Sequence, residues 1–406
     1  MKGVLFLVWL ASTVDLAGAL EIGGLRVQGI MWLAVSAVLA AYLMLDRAFF
    51  SLPVAVAKRN IWLIAATLYF GGRCADADNA LYAVVDMQSL LLPLLIVTFV
   101  FGAVRSAGDA SVIERNALMT MAVPLILLAV GYFSGLSVFV EGVGQKGFIG
   151  ARSVSLYCVT VLPIALAVLA HDGASAAMKR LAVAAIFLCS ASILVTLSRT
   201  ALLSALVMTV IVSVGTMKWR TMLKMLVVVV VLGSVALSWG PMADRLIPKD
   251  SVEEAVQSGE FTSGRAALWT FVFDRGLDHP YFGAGTGNVK ILIRDNMRSS
   301  GILPHNEYLR FFYDGGVIGL LLVLIAFLSR AVHHFVEWRR AVRRGDEDLK
   351  KWHLSALLAT ASLMTAGLFD NVFLYQFMLC IAFTIFGVAD KLQSGAIEPT
   401  REPVAR

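Results

Sequence analysis

LAVAAIFLCSASILVTLSRTALLSALVMTVIVSVGTM, residues 181–217, holds one charge, Arg199, in 37 residues, with no Gly or Pro before Gly215. A single helix of that length would rise about 55 Å at 1.5 Å per residue, nearly twice a ~30 Å hydrocarbon core. The chain must therefore turn back near Arg199, making two spans with the guanidinium at their boundary. Working outward, the 406 residues are 59% apolar and 15% charged, against about 45–50% and 25% in a soluble globular chain. A soluble domain is excluded.

Similar stretches recur along the chain and predict an all-α polytopic membrane protein of about 12 transmembrane helices. They lie near residues 4–20, 27–45, 61–72, 81–104, 117–136, 154–170, 181–198, 200–217, 221–240, 311–329, 354–369 and 372–389. The third is short, and Lys58 and Arg59 bar its extension, so it reads as tilted or re-entrant. The first also has signal-peptide features, with Lys2 ahead of the apolar run and Ala17-Gly18-Ala19 near its end. The layout expected is helices 1–9 in residues 1–240, a large outer loop in 241–304, helices 10–12 in 305–392 around a basic loop at 330–351, and a tail at 393–406.

Basic residues orient these spans. With an inner N-terminus, inner segments carry 21 of the 34 Lys and Arg, and the short outer loops carry 5: Arg26, Arg73, Lys146, Arg152 and Arg199. The other 8 lie in or beside the long outer loop, which as a long translocated segment is exempt from the charge rule. Counting back from the basic loop at 330–351 also puts the long loop outside. The net charge of +6 thus reflects membrane orientation and does not point to nucleic acid. Cys74, Cys158, Cys189 and Cys380 lack CxxC or CxxH spacing, so neither a disulfide framework nor a zinc site is expected, and no cofactor is called for.

Four outer-side features could carry chemistry. Arg199, a planar five-donor cation at the boundary, suits a phosphate, although an Arg that snorkels to headgroups and anchors two spans reads the same way. Arg265 follows Ser263-Gly264 at the start of an amphipathic helix, where an exposed loop charge is the bland alternative. Arg152 lies in GFIGARSVS. His305 follows Pro304 at a span entrance, where an imidazole can serve as a base near neutral pH or fill a structural role. Asp76-Ala77-Asp78 has the spacing of a metal and nucleotide-diphosphate motif but also reads as a solvated loop. Gly283-Ala284-Gly285-Thr286-Gly287-Asn288 has no preceding strand and reads as a turn. Asp370-Asn371, near a span end, could pair with an Arg or His.

PHNEYLRFFYDGGVIG (304–319), preceded by SGRAALW, GAGTGN and LSRTALL, resembles the O-antigen ligase and polymerase superfamily of bacterial envelope glycosyltransferases. The resemblance runs from about Gly147 to Gly319 and rests on His305, Asn306, Leu309, Gly316 and Gly319, with an Arg in the outer turn (Arg199) and one in the loop (Arg265). It implies a GT-C-like architecture in the inner membrane, with its active site facing the periplasm. The donor implied is a glycan on undecaprenyl diphosphate, and the acceptor is lipid A-core in lipopolysaccharide biosynthesis. Arg199 and Arg265, with Arg152, would hold the diphosphate in place of a metal, and His305 would be the base. Asn306 and Tyr308 are the expected supports. A polymerase that uses lipid-linked repeats as donor and acceptor fits the same motifs. A lipid-linked saccharide flippase is the reading from another class; it calls for cations along a path open to both sides, whereas these lie on one face.

Overall fold

The computed structural model describes residues 21–22, 25–45, 54–140, 144–147, 150–216, 265–297 and 303–395, and Leu223 and Ser238 singly. The expected spans at 4–20 and 221–240, the loop at 241–264 and the end of the tail lie outside the described residues. A short ribbon, β1 (Glu21–Ile22) and β2 (Leu25–Arg26), precedes α1 (Val27–Leu45). Then come α2 (Val54–Arg59), α3 (Ile61–Arg73), α4 (Ala80–Ala103), α5 (Ala107–Thr120) and α6 (Ala122–Phe133). A second ribbon, β3 (Ser137–Val140) and β4 (Gly144–Gly147), leads to α7 (Ala151–Ala170), α8 (Ala176–Thr196) and α9 (Arg199–Thr216). The described part of the long loop before α12 holds α10 (Ala266–Gly276) and α11 (Asn288–Asn296). The chain closes with α12 (Glu307–Arg344), α13 (Glu347–Gly367) and α14 (Gln376–Gln393). Among the described residues the chain is helical apart from these two short antiparallel ribbons.

Among the described residues six helical stretches are long and apolar enough to cross a membrane, and α1 and α9 are shorter apolar helices. The protein is a polytopic helical membrane protein. The expected turn at Arg199 is present: α8 ends on Leu197 in a left-handed conformation, Ser198 N–H bonds back to Ile193 O, and α9 begins at Arg199. The expected fifth span, 117–136, falls in the membrane-length helical stretch Ala107–Phe133, in which Met121 joins α5 to α6 with helical φ/ψ and Pro124 sits in the first turn of α6, where a missing N–H costs nothing. Burial ranks the helices: the most apolar windows of α7 and α14 are 89% and 83% buried, that of α8 only 28%. The first two form the centre, and α8 faces lipid. Gly387 of α14 meets Val100 of α4 so closely that a Cβ would lie 2.8 Å from the valine, the close approach small residues allow where lipid supplies no hydrophobic drive.

The two ends of the bundle can be told apart by their contacts. At one end His171, after α7, meets Glu347 at the start of α13 (Nδ1···Oε2 3.0 Å), and Arg59 and Arg330 both pair with Asp390 near the end of α14. Trp338 of α12 packs on Gly215 of α9, where a Cβ would collide with the indole. The starts of α7, α9 and α12 and the ends of α8 and α13 therefore share the opposite end.

Candidate active site

The side chains at that end converge on the turn between α13 and α14. Arg265, the residue capping α10, donates from Nη1 to Phe369 O at 2.6 Å. Trp269, one turn on, donates Nε1 to Pro304 O at 2.8 Å and lies ring to ring 6.2 Å from Phe369. The loop helix is thus pinned both to the residue before His305 and to the turn beyond α13. His305 has φ 53°, a left-handed conformation rare for a residue with a side chain. Its backbone N–H is held by Asn371 Oδ1 at 3.0 Å. Its ring Nδ1 lies 2.9 Å from Asn371 Nδ2 and 3.5 Å from Asp370 Oδ1. Asp370 is fully buried, and the same Oδ1 accepts from Asn371 N at 3.0 Å and from the Tyr375 hydroxyl at 3.4 Å.

These bonds bear on the tautomer. An Asn371 amide that accepts from His305 N–H through its oxygen offers its NH₂ to Nδ1, so the resting ring carries its proton on Nε2. For Nε2 to take a proton, Nδ1–H must turn to Asp370 Oδ1 and the Asn371 amide must withdraw. Asp370 is then the group that holds the imidazolium. Asn306 and Tyr308 make structural bonds: Asn306 Oδ1 caps α12 at Leu309 N (3.1 Å), and the Tyr308 hydroxyl donates to Met364 O (2.7 Å).

α12 is not one straight rod. Gly316 sits at φ 64°, ψ −168°, and the rings of Phe311 and Phe327 both contact Phe373, at 5.1 and 5.5 Å. Sixteen residues of straight helix would separate those rings by about 24 Å. The limb from Glu307 to Gly315 is therefore folded against the limb that follows, and a cavity between them is lined by Tyr308, Phe311, Val323, Phe327 and Phe373. The span expected at 311–329 is broken, and its membrane-crossing limb begins after Gly316. The bend leaves backbone groups to be satisfied by the long loop: Val317 N bonds Pro280 O (2.8 Å), Ala284 N bonds Tyr313 O (2.8 Å) and Gly285 N bonds Asp314 O (3.0 Å).

The glycine stretch after α10 is a turn, as expected. Gly283, Gly285 and Gly287 all have positive φ, and at Gly285 a Cβ would stand 2.5 Å from Asp76 O. The Asp314 carboxylate then accepts from Gly287 N (3.0 Å) and Val289 N (2.9 Å) at the start of α11. The D-x-D segment is taken up in the same packing: Asp76 pairs with Arg73 (2.5 Å), and Asn288 bridges Asp76 O and Asp78 N (3.0 and 2.9 Å). Partial burial there raises the Cys74 thiol above its ordinary pKa, which makes it a poor thiolate. Among the described residues the three-ligand cluster suited to a metal is His333, His334 and His353, at the other end of the bundle.

Beneath the turn runs a ladder of buried charge that composition could not reveal. Lys290 Nζ meets Asp86 Oδ1 at 2.6 Å, Arg310 reaches the same oxygen at 3.5 Å, and Arg310 Nε bonds Glu307 Oε2 at 2.5 Å. Glu307 Oε1 accepts from Phe373 N at 2.9 Å, which ties the ladder to the turn that carries Asp370 and Asn371. All four side chains are at most 5% exposed, so each charge depends on its partners.

Residues 184–324 match the family model described as O-antigen ligase. That stretch of the chain is similar to the O-antigen ligase family. No curated protein matches it. The O-antigen ligase match contains Arg199, Arg265 and His305, whereas Arg152, Asp370 and Asn371 lie beyond its limits. Arg265 and His305, 40 residues apart, meet the same turn. Arg199 opens α9 at the same end of the bundle, and Arg152 is in the first turn of α7, its side chain outside the described residues. Asp370 and Asn371 stand closer to His305 than the sequence argued for. Their signal was a polar pair at a span end, which interfacial solvation explains equally well.

Proposed function

We propose that the chain is an inverting glycosyltransferase that moves O-antigen glycan from undecaprenyl diphosphate to the lipid A-core sugar at the periplasmic face of the bacterial inner membrane. The observation that carries this reading is the convergence of Arg265 and His305 on residues 369–371. An extracytoplasmic enzyme has no nucleotide-sugar pool and needs a preactivated donor, which a membrane-held diphosphate supplies. Arg265 and Arg199, with Arg152, stabilise the charge that develops on the departing diphosphate, so the transfer step needs no divalent metal. His305 takes the proton of the acceptor hydroxyl as it attacks the anomeric carbon from the face opposite the diphosphate, and Asp370 holds the resulting imidazolium. Asn306 and Tyr308 support this geometry through the start of α12. The twelve-span, GT-C-like layout, with residues 241–304 as the periplasmic loop, belongs to the same proposal.

The test is lipopolysaccharide and its lipid-linked intermediates from a deletion strain complemented with wild type or His305→Ala. Full-length glycan stranded on undecaprenyl diphosphate, with bare core, is expected with His305→Ala, and capped core with wild type. Single repeats on core would instead make the chain a polymerase, and unflipped intermediates held inside would make it a flippase.

A further inference from the structure

At the end of the bundle away from His305, three imidazoles meet where α12, α13 and α14 lie together. His334 and His353 are buried, and their Nδ1 atoms are 3.0 Å apart. His333, its side chain 23% exposed, brings Nε2 within 3.6 Å of Asp390 Oδ1. One ring nitrogen from each of the three lies within 4.8 Å of the other two. Nε2 of His334 and Nε2 of His353 are buried without a hydrogen-bond partner.

Two neutral imidazoles facing through Nδ1 can share one proton as N–H···N, which leaves a proton on one buried Nε2 and a lone pair on the other. Each orphaned group costs about 1–3 kcal/mol. A metal ion between the rings takes a lone pair from each of the three at once, through Nδ1 of His334 and His353. Their Nε2–H groups then stay unpaired, so what favours the ion is the convergence of three lone pairs and not relief at Nε2. With Zn–N bonds of about 2.0–2.1 Å, tetrahedral ligand nitrogens stand about 3.3–3.4 Å apart, so the Nδ1 pair needs to open only slightly.

We propose that His333, His334 and His353 form a three-imidazole site for a divalent transition metal ion of zinc's class, stapling α12 to α13. Neutral nitrogen donors favour zinc, and copper or nickel that compete for the same donors, over magnesium or calcium. Asp390 is engaged elsewhere: Arg330 holds Oδ2 at 2.9 Å and Arg59 lies 3.3 Å from Oδ1. The fourth position therefore falls to water on the partly exposed His333 side. The same two arginines repel a dication, which places the affinity below that of a site with an acidic ligand.

The experiment uses the full chain, purified on a tag without histidine, stripped with chelator and titrated with ZnCl₂ or CoCl₂ in nanodiscs. One equivalent of zinc, visible tetrahedral ligand-field bands with Co²⁺ and a Tm raised by a few degrees are expected. His353→Ala should lose all three, and so should His333→Gln, whose partly exposed side chain the fold can spare. Absent binding in the wild type overturns the site, as does unchanged binding in both variants; the Nδ1 pair is then a neutral N–H···N bond.

Discussion

At the residue scale the turn after α13 ranks the candidates by what each touches. If Asp370 holds the His305 imidazolium, Asp370→Asn should keep donor binding and lose turnover by about 10²–10⁴-fold, the range for removal of a general base. Single-turnover rates and donor binding on the same folded protein check this, and unchanged turnover would remove Asp370 from the mechanism. Arg265→Lys keeps the charge but loses the planar fork. Its turnover should fall about 10–100-fold, the equivalent of one charge-assisted hydrogen bond of about 1.5–3 kcal/mol. Because Arg265 also bonds Phe369 O, Tm is read alongside; a loss explained wholly by unfolding would leave the arginine a structural pin.

At the element scale the docking of the long loop into the bend of α12 decides stability. Gly285→Ala forces a Cβ onto the Asp76 carbonyl at φ 114°. It should cost at least the ~1–3 kcal/mol of such backbone strain, while Gly72→Ala, with nothing within 4 Å, should fall within about 0.5 kcal/mol of wild type. Thermal unfolding of the two variants gives the comparison. The buried ladder makes a second prediction. Lys290→Met alone leaves Asp86 with Arg310 at 3.5 Å in place of its 2.6 Å partner and should cost up to about 3–5 kcal/mol, and adding Asp86→Leu should recover part of it, since an apolar pair of similar volume commonly replaces a buried ion pair without loss. Equal destabilisation in the single and double variants would show that the lysine's packing, and not the charge, matters.

At the scale of the whole molecule the claim is orientation. Asp278 and Asp348 have side chains 63% and 61% exposed, the first in the long loop before α12 and the second at the start of α13. In a background lacking the four native cysteines, Asp278→Cys should react with an impermeant maleimide in intact spheroplasts, and Asp348→Cys should react only after lysis. The reverse pattern would put His305 and Arg265 on the cytoplasmic side and end the proposed mechanism.

The sequence by itself determined the class of molecule, the turn at Arg199 and the residues to watch. Each depends on short-range quantities: the length of an apolar run against the thickness of a bilayer, the rise of a helix, and the cost of a charge in lipid. The glycine stretch was likewise legible as a turn, because positive φ is a local demand. Tertiary structure decided the bend at Gly316, whose cause lies in the loop backbone at 280–285. It also decided that Asp370 and Asn371, 65 and 66 residues from His305, face its ring, and that Asp86, Lys290, Arg310 and Glu307 share one buried ladder. An isolated carboxylate at a span end looks the same whether water or an imidazole solvates it, and only the packing of distant helices settles which partner it meets.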